Sequence, residues 1–252
     1  MANFPTHLAV GTVASGMMAT LATASGMVKT DYIIALALAG ALGSVLPDID
    51  LKDSRSSRII FFALGLFISF VVLFCVVDKY SIVELWIVWI GVFLAVRYFG
   101  HLLFHHFAVH RGVFHSILAG LFFLFATAAI FYHGLGIEAG ICWLAGIFMF
   151  FGYIVHLLLD EIYSVDFNGN RVKRSFGTAL KLYEHRDIAA SFVMLSAVVG
   201  VFFVTPEGTG FYDAVSTSDV WAQLWQRMLP SEGWFGFDVG RGEVAVAPVA
   251  AP

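Results

Sequence analysis

Charged side chains are scarce in this sequence. They make up 13% of its 252 residues, against about a quarter in an ordinary soluble domain. With 60% hydrophobic residues and a mean hydropathy of +0.86, that deficit excludes a conventional soluble globule and points to a polytopic membrane protein. Cysteine is limited to Cys75 and Cys142, both inside apolar runs. There they read as small buried hydrophobes, so neither a disulfide nor a Cys-based metal site is expected. No basic residue precedes Lys29, so the start of the chain lacks the positive n-region of a secretory signal peptide. No basic stretch is interleaved with aromatics as single-stranded nucleic-acid binding requires, and nucleic-acid partners are not expected. The net charge of −4 says less than where the charges sit.

What is present is a series of apolar runs near the roughly 20 residues that cross a bilayer. They cover 8–28, 32–46, 59–77, 82–104, 113–132, 137–159 and 187–204. The expected fold is an all-α, polytopic integral membrane helical bundle of about seven spans. Small residues recur in the first run at Gly11, Ser15 and Ala19 and in the second at Ala35, Ala39 and Gly43. Such rows let helix backbones approach closely in lipid, so the first two helices should form a tight hairpin. Pro47 is expected to end the second helix, since proline cannot donate to the helix ladder. Residues 1–205 then form the membrane-embedded part. Residues 206–252 form an extramembrane tail with a disordered end. Within that tail Val220, Trp221, Leu224, Trp225, Met228 and Leu229 share one helical face behind a candidate N-cap, Asp219. This pattern predicts an amphipathic helix on a membrane surface.

Charge placement orients the bundle. The loops after the second, fourth and sixth runs hold Lys52, Arg55, Arg58, Arg97, Arg111, Arg171, Lys173, Arg174, Lys181 and Arg186, while the other side holds Lys29, Lys79, Arg227 and Arg241. The positive-inside rule makes the ten-residue side cytoplasmic, with the N-terminus inside and the C-terminus outside.

The same parity collects a set of potential ligands on the cytoplasmic side. His7 precedes the first span. Asp48 and Asp50 follow the second. His105, His106, His110 and His115 crowd between the fourth and fifth, and His156 and Asp160 close the sixth. Imidazole is the commonest protein metal ligand, and ionisable groups within membrane segments are functional candidates by default. His156 and Asp160 are spaced i, i+4, on one helix face. Asp48 and Asp50 would point the same way if their segment is extended. Hard carboxylates beside imidazoles suit zinc, manganese or iron. His7, Asp48, Asp50, His110, His115, His156 and Asp160 exceed the four ligands of one structural zinc, so one or two divalent ions are expected, zinc first. Asp50 and Asp160 double as catalytic carboxylates, Asp50 as general base, and Arg111 would clamp an anion with its planar fork. His101, His133 and His185 read as interfacial or surface residues. The basic residues from Asp166 to Lys181 read as obeying the positive-inside rule or attracting anionic lipid.

In this order the motifs resemble the YdjM-like family, predicted membrane-bound metal-dependent hydrolases of bacterial inner membranes. The resemblance rests on Thr6-His7, Leu46-Pro47-Asp48-Ile49-Asp50, His110-Arg111-Gly112 with His115-Ser116, and Gly152-Tyr153 with His156-Leu157-Leu158-Leu159-Asp160. It implies a multi-spanning inner-membrane protein whose His and Asp residues bind metal. The segment from Phe167 to Lys181 lies outside the family pattern. Asp48-Ile49-Asp50 also resembles a phosphatase nucleophile motif, but that motif needs a strand in a soluble α/β domain. The Pro-Ser-Gly-His segment of phosphohistidine lipid phosphatases is absent.

The expected activity is hydrolysis of a phosphoester or ester in a lipid or lipid-linked substrate at the cytoplasmic face, with membrane lipid as the constant partner. A protein partner or homo-oligomer is compatible with the sequence. The competing readings are a metal transporter or sensor, whose ligands should extend toward the bilayer midplane, and a non-enzymatic structural membrane protein that makes contacts through its Trp-rich tail.

Overall fold

A computed structural model of the chain describes residues 3–50, 55–76, 79–103, 112–166, 171–172 and 180–228. Helix α1 covers Phe4–Ala24. It starts four residues before the expected span because Asn3 caps it. The Asn3 Oδ1 accepts from the Thr6 backbone N–H at 3.0 Å and from the Thr6 hydroxyl at 2.6 Å, satisfying donors that a helix start leaves unpaired. His7 therefore sits within the first turn of the helix rather than ahead of it. The buried stripe of α1 is His7, Gly11, Ser15, Ala19 and Ala22, which includes the expected small-residue row.

Helix α2 (Ile33–Gly43) follows a short 3-10 turn, Thr30–Tyr32. It stops at Gly43, before Pro47 is reached, and Leu46–Asp50 forms a second 3-10 turn. Pro47 thus lies inside a turn instead of terminating the helix. The stripe of α2 also differs from expectation. Leu36, Ala39, Gly40 and Gly43 are buried, whereas Ala35 is exposed. The chain continues through α3 (Arg55–Val76) and α4 (Ile82–Leu94), which opens on a capping box between Ser81 and Glu84. Beyond Leu94 the helix widens into a π-helical stretch, Ala95–Gly100, before resuming to Leu103.

Helix α5 is Ile117–Leu135, ended by Gly136 in the left-handed conformation (φ 64°) that glycine adopts without strain. Helix α6 is Ala139–Ile162, three residues longer at its C-terminal end than expected. A two-residue antiparallel ribbon pairs Val165–Asp166 with Arg171–Val172. Helices α7 (Ile188–Phe202), α8 (Thr209–Ser216) and α9 (Ser218–Met228) complete the described chain. Asp219 lies in the first turn of α9, so it is not the N-cap. Leu229 and the expected disordered end fall outside the described residues.

Among the described residues, the regular structure is helical apart from the ribbon and an isolated bridge between Ser116 and Lys181. Among them, four helices are long and apolar enough to cross a membrane: Phe4–Ala24, Ile82–Leu103, Ile117–Leu135 and Ala139–Ile162. The other three expected spans appear as shorter apolar helices, Thr30–Gly43, Ser57–Leu73 and Ile188–Phe202. At 1.5 Å per residue the 15 residues of α7 reach about 22 Å, less than the ~30 Å hydrocarbon layer.

Helix α6 is the hub, packing on α1, α2 and α5. Glycine makes its contact with α2 possible. A Cβ on Gly152 would overlap the Gly40 carbonyl, and one on Gly43 would overlap the Met149 carbonyl. The expected hairpin of α1 and α2 forms, with Gly11 against Ser44. It is completed by α6, which uses the same small-residue faces. On α6 the apolar residues Phe148, Met149, Tyr153 and Leu157 are buried. Those toward its end join Val45, Leu46, Ile49 and Ile60 in a cluster beside the polar residues described next.

Helix directions alternate consistently. The start of α1, the end of α2, the start of α5 and the end of α6 share one end of the bundle. The tail meets the other end. The Trp143 Nε1 donates to the Pro206 carbonyl at 3.1 Å, and Gly26 lies against Gln223 of α9.

Candidate metal centre

Five buried polar side chains converge where those four helix ends meet. His7, Asp48, His115, His156 and Asp160 are each 5% exposed or less, although they come from four separate parts of the chain. Each is positioned by backbone that the sequence dictates locally. The Asn3 cap winds His7 into α1. The 3-10 turn carries Asp48. Helical spacing puts His156 and Asp160 on one face of α6, their Nε2 and Oδ2 atoms 3.7 Å apart.

His115 precedes the Ser116 N-cap of α5 and is fixed from both sides. The Tyr153 hydroxyl of α6 donates to the Phe114 carbonyl. The first N–H groups of α5, on Ile117 and Leu118, donate to the Lys181 and Leu182 carbonyls at 2.9 and 3.0 Å. These would otherwise be orphan donors of a helix start.

His156 is oriented by its own partner. Its Nδ1 lies 2.8 Å from the carbonyl oxygen of Ser44, the C-cap of α2. A carbonyl only accepts, so this bond assigns the ring proton to Nδ1 and leaves Nε2 as a bare lone pair. That Nε2 faces Asp48 Oδ1 and Asp160 Oδ2, each at 3.7 Å. The His115 Nε2 lies 3.9 Å from the same two oxygens. These separations are too long for hydrogen bonds. They lie close to the edge of a tetrahedral ligand shell, which for bonds of about 2.0–2.1 Å is roughly 3.3 Å. The ring planes of His115 and His156 are inclined at 70°, so the planes intersect and one ion can lie in both. Acceptor atoms aimed at a shared space inside a low-dielectric cluster repel one another unless a cation lies between them. The donor set and its geometry fit a divalent ion.

His7 is placed differently. Its Nε2 approaches the other Asp160 oxygen, Oδ1, to 3.1 Å, with the ring N–H not aligned on it. Its ring stacks on His156 with centroids 3.7 Å apart and planes within 13°. Among the described residues, two ligand triplets exist by distance alone, His7 with His156 and Asp160, and Asp48 with His115 and His156.

Of the expected site residues, the five whose side chains are described all join the cluster. Leu46–Asp50 is a 3-10 turn and not extended, so the premise that aimed Asp48 and Asp50 the same way fails, since three residues per turn separate neighbours two apart. The side chain of Asp50 is outside the described residues, as are His105, His106, His110 and Arg111. His101 stands apart, edge-on to Phe61. His133 is exposed, its Nε2 2.8 Å from the Val204 carbonyl, and His185 is exposed.

Two features escaped the sequence reading. The Ser44 carbonyl is a backbone group without a residue-type signature. The other is a buried knot around Glu184, which accepts from the Lys181 ammonium and, at 2.9 Å, from the Arg186 N–H. Its backbone N–H reaches the Ser191 hydroxyl at 3.1 Å. Burial pushes the Glu184 carboxyl upward, but the bonds from Lys181 and Arg186 outweigh it and hold it below the usual value. The only cue in the sequence was an acid lying three residues after Lys181 and two before Arg186.

No curated protein and no solved structure matches this chain. A family model described as YdjM inner membrane protein matches residues 1–180, so the segment from Phe167, expected to lie outside the family pattern, falls within it up to residue 180. That match covers every member of the five-residue cluster and more than half of the sequence, so the chain belongs to the YdjM inner membrane protein family.

Proposed function

We propose that this protein is an integral-membrane, metal-dependent hydrolase that cleaves a phosphoester or ester in a lipid or lipid-linked substrate at the cytoplasmic membrane face. One observation carries the reading. His156 commits Nδ1 to the Ser44 carbonyl at 2.8 Å while its Nε2 faces two carboxylates from different parts of the chain. That is the arrangement by which an outer hydrogen bond fixes the tautomer of a ligating histidine.

In this reading Asp48, His115, His156 and Asp160 hold one divalent ion, zinc first among zinc, manganese and iron. When bound, such an ion polarises an ester oxygen and acidifies water. The protein's own residues do the rest. Ser44 holds the His156 tautomer. The surrounding apolar cluster of Leu46, Ile49, Tyr153 and Leu157 lowers the local dielectric and strengthens each charge interaction. Asp50 would take up a proton as general base, and Arg111, four residues before His115, would clamp the anionic headgroup.

All seven apolar helices cross or re-enter the bilayer in this reading, with the N-terminus in the cytoplasm, following the charge asymmetry. The tail helix α9, whose Trp221 and Trp225 are exposed, rests at the outer interface. The ligands gather at one end of the bundle and not at its middle, which favours surface chemistry over transport. The test is hydrolysis by the purified protein in nanodiscs containing phospholipid and polyprenyl-phosphate substrates. Activity that requires added zinc or manganese and vanishes in His115→Ala supports the reading. A metal-replete protein that cleaves neither phosphoester nor ester in these lipids overturns it.

A further inference from the structure

We infer that His7 is a positioning residue for Asp160 and not a ligand of the ion. This inference rests on the metal-centre reading above. An imidazole binds a cation through a lone pair in the plane of its ring. The rings of His7 and His156 are stacked, with centroids 3.7 Å apart and planes within 13°. Stacked rings stay about 3.5 Å or more apart at van der Waals contact. A 13° tilt closes less than about 1 Å of that gap over the reach of a bond of roughly 2.0 Å. An ion in the plane of His156 therefore lies well outside the plane of His7. The triplet of His7, His156 and Asp160 satisfies distance but fails the direction of the lone pairs. The planes of His115 and His156, inclined at 70°, intersect, so a single ion can lie in both.

The Asp160 carboxylate divides its two oxygens accordingly. Oδ2 faces His115 and His156 at 3.9 and 3.7 Å, while Oδ1 faces His7 Nε2 at 3.1 Å. With Oδ2 turned toward the ion site, Oδ1 is the oxygen that His7 Nε2 approaches. A turn of the ring that aligns its N–H on Oδ1 would fix the carboxylate's rotation, as outer partners of metal-binding carboxylates do. The face of His7 meanwhile covers His156.

The experiment uses the full-length protein in detergent, with Co²⁺ or Zn²⁺ alone as the probe. Stoichiometry, affinity and the cobalt absorption spectrum are measured for wild type, His7→Gln and His7→Phe. Glutamine keeps a donor for Asp160, and phenylalanine keeps only the stack. A positioning role predicts one ion per chain in all three and an unchanged cobalt spectrum. It also predicts an affinity lowered about 10- to 100-fold in His7→Phe and largely restored in His7→Gln. Loss of the ion or an altered cobalt spectrum in His7→Gln would show that His7 is a ligand. Wild-type affinity in His7→Phe would show that the ring only packs. Either result overturns the inference while leaving the metal centre intact. A wild-type protein that binds neither ion removes the metal centre, and this inference with it.

Discussion

His156 Nδ1 and the Ser44 carbonyl oxygen lie 2.8 Å apart although 112 residues separate them in sequence. This bond leaves the opposite ring nitrogen facing Asp48 and Asp160. Removing the ring should therefore cost metal affinity more than removing an outer partner, which typically costs about 10- to 100-fold. Elemental analysis of the purified protein should find stoichiometric divalent metal in wild type and none retained in His156→Ala. Full retention by the variant would mean that the ion lies elsewhere.

A bound ion should also stabilise the bundle, since it joins the ends of α1, α5 and α6 to the 3-10 turn that carries Asp48. Ligand linkage gives about 2.7 kcal/mol when free metal is 100 times its dissociation constant. Chelation should lower the melting temperature of wild type and restore it on adding zinc back. In Asp48→Asn the chelator should have little effect, because one of the two carboxylates that face His156 has lost its charge. Equal sensitivity of the two proteins to chelator would speak against Asp48 as a ligand.

The approach of α6 to α2 depends on the missing side chain of Gly152, where a Cβ would overlap the Gly40 carbonyl. Backbone cannot yield as a flexible side chain can. Gly152→Ala should destabilise by about 1–3 kcal/mol or more, the usual range for overpacking. It should also displace His156, one turn further along α6, from Ser44. The expected result is a lower melting temperature together with reduced metal content. At Gly140, which has open space around its added Cβ, the same substitution should be harmless and serves as the control.

Much of this arrangement was legible in the sequence. Small-residue rows announced the α1–α2 contact, and i, i+4 spacing correctly paired His156 with Asp160. The alternation of spans brought His7, Asp48 and His115 to the same end. The failures have physical causes. Hydropathy does not see capping, so it missed that Asn3 winds His7 into α1. Pro47 looked like a terminator, but proline fits an early 3-10 position as well as a helix end. On α2 the expected Ala39 and Gly43 are buried, but Ala35 is exposed and Leu36 buried, because both are apolar and only tertiary packing decides which faces inward. Ligand distances were inaccessible, and so was the stacking of His7 on His156, because both depend on helices from distant parts of the chain.

Glu184 ties the segment after the ribbon to α7 through Ser191, next to the Lys181 and Leu182 carbonyls that receive the first N–H groups of α5. Its carboxyl is held below the usual carboxylate range because the bonds from Lys181 and Arg186 outweigh burial, which acts to raise it. The sign follows from linkage. A group whose folded pKa is depressed contributes stability above its unfolded pKa and loses it as pH falls through the folded value. Melting temperatures of wild type and Glu184→Gln should therefore differ most at pH 6–7, about two units above an ordinary Glu pKa. The two curves should converge as the solution is acidified below that pKa. A difference that grows on acidification would show that the carboxyl works in its neutral form.

The direction of the chain through the bundle can be checked from outside the cell. His185 and the metal centre share the end where Lys181 and Leu182 carbonyls receive the first N–H groups of α5. Thr217, between α8 and α9, belongs to the opposite end, where Pro206 meets Trp143 and Gln223 meets Gly26. By the expected alternation of spans, ten of the 14 Lys and Arg residues are assigned to the His185 side, and the positive-inside rule then makes that side cytoplasmic. In a background with Cys75 and Cys142 replaced by alanine, Thr217→Cys should react with a membrane-impermeant maleimide on intact cells. His185→Cys should react only after the membrane is opened. Labelling of both from outside would break the alternation of spans, and labelling of His185→Cys alone would invert the orientation and place the metal centre at the outer face.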